Sequence, residues 1–377
     1  MTVLGPRSHL SRVAEFGGLP VVEFTDPLSV PDEEEGAVHP RQAGEAELAD
    51  PGGFAWRLTV SEPWRDDPEG EGDPLGEADE AEEAEADEAG EEEGDEDGYA
   101  REHIVRYLDR FTEQVPLEAL RALIVGYLSE YDDSYGMLAE PAVEALVGAA
   151  PRLAGLRSLF FGEVTSEEQE LSWIRLCDLA PLVAVLPGLS ELVVRGGSEE
   201  LGLRLESRSL ERLTVHSAGL RPEVVEDVCA SELPALHRLE LWFGSEWHAG
   251  GRVTPEGLEP LLSGGAFPRL RHLGLRNVPG LDEWIPVLTG SPVVRDLDVL
   301  DLSLGDLSDE GARALVDGAS AFRRLRYLDL NHHYLSEEVE KQVAGVFRRR
   351  GTVVDVSARR EPAQWKDGPH RYTAVTE

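Results

Sequence analysis

Cysteine is almost missing from this chain of 377 residues: Cys177 and Cys229 stand far apart and without CxxC spacing, which excludes a disulfide framework and a thiolate zinc site. Long apolar runs are missing too. Met1 to Phe16 has no continuous hydrophobic stretch of signal-peptide type, and the longest apolar run, Leu179 to Leu189, is broken by two prolines and too short to span a bilayer. Both absences predict a cytoplasmic protein. Positive charge is scarce, with 35 Lys and Arg against 74 Asp and Glu and a net charge of -39, so nucleic acid and anionic membranes are not expected partners. No Gly-rich phosphate loop, GxSxG elbow or HExxH helix occurs. The reading is therefore non-enzymatic, with no cofactor and no metal expected.

What the chain does have is a repeat. Leu297-Asp-Val-Leu300-Asp-Leu302 followed by Ser308-Asp-Glu-Gly311-Ala-Arg-Ala-Leu315 reads as a short strand, a turn, and an outer helix opened by Ser308. Similar strand sets stand at Leu120/Leu123/Val125, Leu156/Leu159/Phe161, Leu189/Leu192/Val194, Leu210/Leu213/Val215, Leu236/Leu239/Leu241, Leu270/Leu273/Leu275 and Leu325/Leu328/Leu330, with a final edge at Val354/Val356. Amphipathic stretches between them predict helices over 140–150, 178–186, 222–230, 255–262, 281–288, 308–316 and 336–347, with Thr254-Pro255 as a start signal that puts a hydroxyl at the cap. Each buried leucine contributes ~1.5–3 kcal/mol only when a neighbouring repeat covers it, so the units must stack. The fold class is α/β, a leucine-rich-repeat horseshoe with a concave parallel sheet and outer helices.

Around this core the composition changes. Residues 1–65 hold two alternating stretches, 16–24 and 54–60, which predict an N-terminal β cap for the exposed end of the solenoid. Residues 66–98 carry 19 Asp and Glu with no Lys or Arg, about half of the net -39, and predict a disordered acidic linker. Three roles stay open for it: a solvated spacer, an internal decoy that swings over the basic middle of the concave face, or a docking tail for a basic protein. The solenoid is expected over 99–360, opening on a helix with Ile104, Tyr107, Leu108 and Phe111 on one face. A mobile tail is expected over 361–377.

On these residues the chain resembles leucine-rich-repeat proteins of the ribonuclease-inhibitor-like kind, most clearly over 297–340. Its N-terminal block, Glu15-Phe-Gly-Gly-Leu-Pro-Val-Val-Glu-Phe24 with Ala55-Trp56-Arg57-Leu58, together with Leu123-Ile-Val-Gly126 and Glu170-Leu-Ser-Trp-Ile174, is similar to an uncharacterised bacterial leucine-rich-repeat family. The resemblance implies a fold and transfers no catalytic residue. One departure has physical weight. The Asn usual at the ninth repeat position, which in such repeats satisfies buried backbone groups, is replaced by Gly197, Ala218, Gly244, Val278, Gly305 and His333, so those groups must find other partners.

Strand alternation assigns the residues between the buried leucines to the concave surface. The middle then offers Arg195, Arg212, Arg238, Glu240, Trp242, His272 and Arg276, and the C-terminal end offers Asp301, Tyr327 and Asp329, with Asp355 beyond. Arg and large aromatics are enriched at protein-binding hot spots, and an acidic ladder repels itself unless a cation or basic partner faces it. The expected function is a monomeric scaffold for an unknown protein or peptide. The alternative is a regulator or inhibitor of an enzyme or small GTPase. A blander reading pairs the Arg and acidic neighbours with each other. His332-His333 beside Asp301 and Asp329 raises an ion site, but adjacent strand residues point to opposite faces, which favours a turn pair. Cys177, among Trp173, Ile174 and Leu176, reads as a buried structural thiol.

Overall fold

The computed structural model describes residues 11–24, 42–60, 96–129, 137–245, 251–366 and 368–376. The expected linker lies outside the described residues except at 96–98, which belong to a helix. Twelve strands form one sheet in sequence order: β1 Glu15–Phe16, β2 Leu19–Phe24, β3 Ala55–Val60, β4 Ala122–Leu128, β5 Ser158–Glu163, β6 Glu191–Arg195, β7 Arg212–His216, β8 Arg238–Trp242, β9 His272–Arg276, β10 Val299–Asp301, β11 Tyr327–Asp329 and β12 Val353–Asp355. β1 pairs antiparallel with β2, and every later neighbour is parallel. The two strands expected as a cap are thus continuous with the main sheet, whose parallel part begins at β2 rather than at residue 99.

Helices pack on one face of that sheet: α1 Glu45–Ala49, α2 Glu96–Gln114, α3 Ala139–Gly148, α4 Ala180–Ala184, α5 Pro222–Cys229, α6 Glu259–Leu262, α7 Leu281–Gly290, α8 Asp309–Asp317 and α9 Glu337–Arg349. One contiguous core joins the strand leucines to the apolar stripes of the helices, for example Phe24 and Trp56 against Tyr107 and Phe111 of α2. Cys177 and Cys229 are buried free thiols in it. Burial pushes them up to about 12 and about 11, too high for a nucleophile at neutral pH.

Local signals set the helix starts. Ser308 caps α8 by accepting from Glu310 N–H, and Ser336 caps α9 by accepting from Val339 N–H, each with acidic residues in the first turn that suit the helix dipole. Thr254 makes no hydroxyl cap bond. The Gly257 N–H that could serve it donates to the Thr254 carbonyl, closing a 3-10 turn over Pro255–Leu258 ahead of α6.

The missing asparagines have several substitutes. The buried His333 ring accepts from Leu335 N–H and bonds the Val356 carbonyl. Asp306 accepts from Gly280 and Leu281 N–H. Asp282 accepts from Ser308 N–H, and Asp309 from Ser336 N–H, so the first-turn acid of one helix serves the cap residue of the next. The chain also turns left-handed at one recurring place, five residues after the start of the four successive strands β9 to β12, where Asn277, Leu304, His332 and Ala358 stand at φ 55, 65, 61 and 57. Two of the four, Leu304 and Ala358, are residue types that rarely accept such a backbone.

The described residues of the expected mobile tail, 361–366 and 368–376, are folded. They form a hairpin of β13 Ala363–Trp365 and β14 Gly368–His370, then return to the solenoid. There Asn277 donates to the Val375 carbonyl and accepts from Val375 N–H, at 2.6 and 3.0 Å, and Val375 is buried. Val375 finds an apolar seat, which composition alone did not disclose.

Candidate functional site

The helix-free, concave face of the sheet divides into two unlike halves. Over β2 to β5 it is covered by the chain's own N-terminal arm. Phe16 lies against Phe160 with ring centroids 5.9 Å apart, in a second small core with Ala55, Ala122 and Ile124, flanked by Val13, Leu19, Val21 and Val193. Beneath the arm Arg57 and Glu163 form a two-pronged pair at 2.5 and 3.0 Å, only 3% and 1% exposed. The same pair fastens the arm, since Arg57 donates to the Val13 carbonyl and Glu163 accepts from Val13 N–H. Arg12 adds contacts to Glu23 and Glu168.

Arg195 belongs to the border of this covered half. Its guanidinium lies 5.0 Å from the Phe160 ring centroid and donates to the Val164 carbonyl. Burial pulls it down to about 10, still charged at neutral pH. It is a packing residue rather than an exposed contact.

From β6 to β12 no described segment covers the face, and registered neighbours form rows. One row runs Glu191, Arg212, Arg238, His272, Val299, Tyr327, Val353; the next runs Thr214, Glu240, Gly274, Asp301, Asp329, Asp355. Arg212 is gripped by both carboxylate oxygens of Glu191 at 3.1 Å. Glu240 is matched on several sides: it accepts from Arg238 at 3.0 Å, Arg276 at 2.7 Å and Trp242 Nε1 at 3.0 Å. Burial alone would raise its carboxyl, but Arg276, His216 and Arg238 together hold it well below the ordinary range. Gly274 makes room for this, because a Cβ there would meet the Glu240 side chain at 2.9 Å.

Arg276 and Trp242 complete a buried floor. The guanidinium stacks 4.7 Å from the Trp242 ring centroid, donates to Ser303 Oγ and approaches Asp301 at 3.4 Å. Trp242 is 0% exposed. Five residues picked as partner contacts, Arg195, Glu240, Trp242, Arg276 and Asp329, are thus buried, and much of the Arg-rich middle is matched within the protein.

Toward the C-terminal end the matching stops. Asp329, 7% exposed, accepts from Asn331 N–H at 2.9 Å and Tyr327 Oη at 3.3 Å. Asp355 accepts from Ser357 N–H and Oγ. Among the described residues neither has Lys or Arg at ion-pair distance. Burial, then repulsion from Asp301, pushes Asp329 up to about 7, and burial with Asp329 nearby pushes the Tyr327 phenol up as well. Asp301 is raised by burial despite Arg276. His272 is pulled down to about 4 by burial and by Arg238, so it presents a neutral ring.

His332 and His333 do not converge. The His332 ring meets the Gly305 carbonyl and the His333 ring the Val356 carbonyl. Among the described residues no group of three or more His, Cys, Asp or Glu could hold a metal ion. No described helix is long and apolar enough to cross a membrane.

Sheet, helices and repeated turns together define an α/β leucine-rich-repeat solenoid. The chain is similar to a Bacteroides fragilis protein solved in a structural-genomics programme, at 28% identity and TM-score 0.62 over 72% of this chain and 73% of that one. A Listeria monocytogenes internalin overlaps 65% of this chain and 76% of its own at 15% identity and TM-score 0.30. No family model and no curated protein matches.

Sequence reasoning missed the covered half altogether: Val13, Phe16, Arg57, Ile124, Phe160 and Glu163 were not placed on the concave face. A signal was there. Ala122-Leu-Ile-Val125 and Leu159-Phe-Phe161 are continuous apolar runs, the pattern of strands buried on both faces.

Proposed function

We propose that this chain is a non-enzymatic interaction scaffold that receives a partner protein on the open half of its concave face, β6 to β12, and that the partner presents basic side chains to the C-terminal end. The observation that carries this reading is the contrast within one row: Glu240 is matched by two arginines, while Asp329 and Asp355 have only N–H and hydroxyl donors. A partner's cation opposite them removes their mutual repulsion and completes the row. Arg212, Arg238, His272, Asp301, Tyr327 and Asp329 are the residues we expect it to meet. Tyr327 supplies the large, half-buried aromatic that interfaces favour.

Affinity capture from native lysate with mass spectrometry tests this, using Tyr327→Ala with Asp355→Lys against Glu338→Lys on the outer helix α9. Loss of one partner with the first variant and its retention with the second is expected. Equal capture by both removes the reading. Reversing Arg276 would be a poor test, because it would break the buried floor. If the captured partner is an enzyme inhibited at one-to-one stoichiometry, the scaffold acts as a ribonuclease-inhibitor-like regulator.

A further inference from the structure

The C-terminal end of the molecule has the opposite electrostatic character from the rest. From residue 341 onward the sequence carries eight Lys and Arg against four Asp and Glu, in a chain of net charge -39. Part of this basic island is held in a fixed shape. Arg360 N–H donates to the His333 carbonyl at 2.7 Å, and the Tyr334 hydroxyl both donates to the Tyr372 carbonyl at 2.9 Å and accepts from Tyr372 N–H at 3.0 Å. Between those two ties the β13–β14 hairpin loops outward. Under its base lies a cleft of about 580 Å³ whose walls include Arg359, Arg360, Arg371, Tyr334 and Ser336, a size that suits a small ligand.

Three acidic residues also line the cleft, and two are already engaged. Asp309 accepts from Ser336 N–H and Oγ and pairs with Arg313 at 3.1 Å; Glu337 pairs with Lys341 one turn along α9. The arginines are held more loosely. Arg371 reaches Asp282 at 3.2 Å and Arg359 reaches Glu340 at 3.6 Å, with the two arginine side chains themselves exposed. Arg360 makes no ion pair among the described residues. Guanidinium forks match the oxygens of phosphate in pairs, and the field of so acidic a protein repels anions everywhere else.

We infer that this cleft is a binding site for a phosphate monoester, carried by a small molecule or by a phosphorylated side chain, with Arg359, Arg360 and Arg371 as its donors. This site is separate from the concave face and does not depend on the function proposed for that face.

Isothermal titration calorimetry on the full chain with inorganic phosphate, O-phosphoserine and a phosphoserine peptide tests it. Saturable binding of at least one probe is expected, weakened roughly tenfold or more by Arg360→Glu, the loss that a charge-assisted hydrogen bond implies. Arg348→Glu, at the exposed far end of α9, makes the same change in net charge outside the cleft and is expected to leave binding unchanged. Tighter binding of the peptide than of O-phosphoserine would point to a protein source; equal binding would point to a small molecule, and both support the site. No binding of any probe, or equal weakening by the two variants, overturns it. Because no hydrogen bond or ion pair holds the Arg360 side chain among the described residues, an unchanged thermal midpoint for that variant separates lost binding from lost structure.

Discussion

The two halves of the concave face are built on one sheet with one register, yet the first is a sealed interior and the second an open polar floor. In β2 to β5 the arm from Ser11 to Phe16 supplies the apolar cover, and a buried Arg57–Glu163 pair locks it. In β6 to β12 the same positions carry charges that are matched at Glu240 and unmatched at Asp329. The lesson is that a solenoid's concave face is not a binding surface by geometry alone. Only the half that no described segment covers is left free to meet a partner.

The largest effect is expected from breaking the lock. Arg57→Ala leaves Glu163 charged and buried without its partner, and should cost about 3–5 kcal/mol, measured as a lower denaturant midpoint. A loss under about 1 kcal/mol would mean that water reaches the pair and that the arm is not a seal.

Next, Phe16→Ala removes the ring that covers Phe160 and should cost about 3 kcal/mol. Because the arm can lift while the rest stays folded, amide exchange should quicken over 13–24 and stay unchanged in β10 to β12. Uniform exchange changes would show the two halves to be one cooperative unit.

The open half should answer to pH instead. Asp329 is raised to about 7 from an ordinary 3.8, so the folded state holds its proton more tightly than the unfolded chain does. Its contribution therefore favours folding in acid, declines as pH rises between the two values, and is flat above the higher one. Asp329→Asn should stabilise the protein by about 1–3 kcal/mol in mildly alkaline solution and by little in acid. A gain that is the same at both ends would sink the assignment.

The smallest effect on stability belongs to Arg212→Ala. Its pair with Glu191 is solvent-facing, with side chains 36% and 21% exposed, and such pairs contribute about 0–1 kcal/mol. An unchanged melting midpoint together with reduced partner capture would sharpen the contrast between a floor made for contact and an arm made for sealing.

Much of the architecture was legible because stacking requires it. The LxxLxL spacing can bury its leucines only in a parallel, in-register sheet, and Ser308 and Ser336 mark helix starts through bonds local to the chain. The site was legible in part. Alternation put Arg238, Tyr327 and Asp329 on the correct face, but alternation cannot say what lies above that face. Arg276 and Trp242 went astray for that reason: Arg276 is enclosed by Glu240, Asp301 and Ser303, and the Trp242 ring lies against His216 and Arg276.

By itself the sequence determined the repeat, its period, its helix caps and the sign of charge along the inner rows, since each depends on residues within one unit or the next. Only the tertiary structure decided which part of the inner face is covered, that the C-terminal stretch returns to Asn277, and which carboxylates lack a cation among the described residues. Those outcomes rest on contacts between residues up to about 150 positions apart, such as Val13 with Glu163, and no local pattern encodes them.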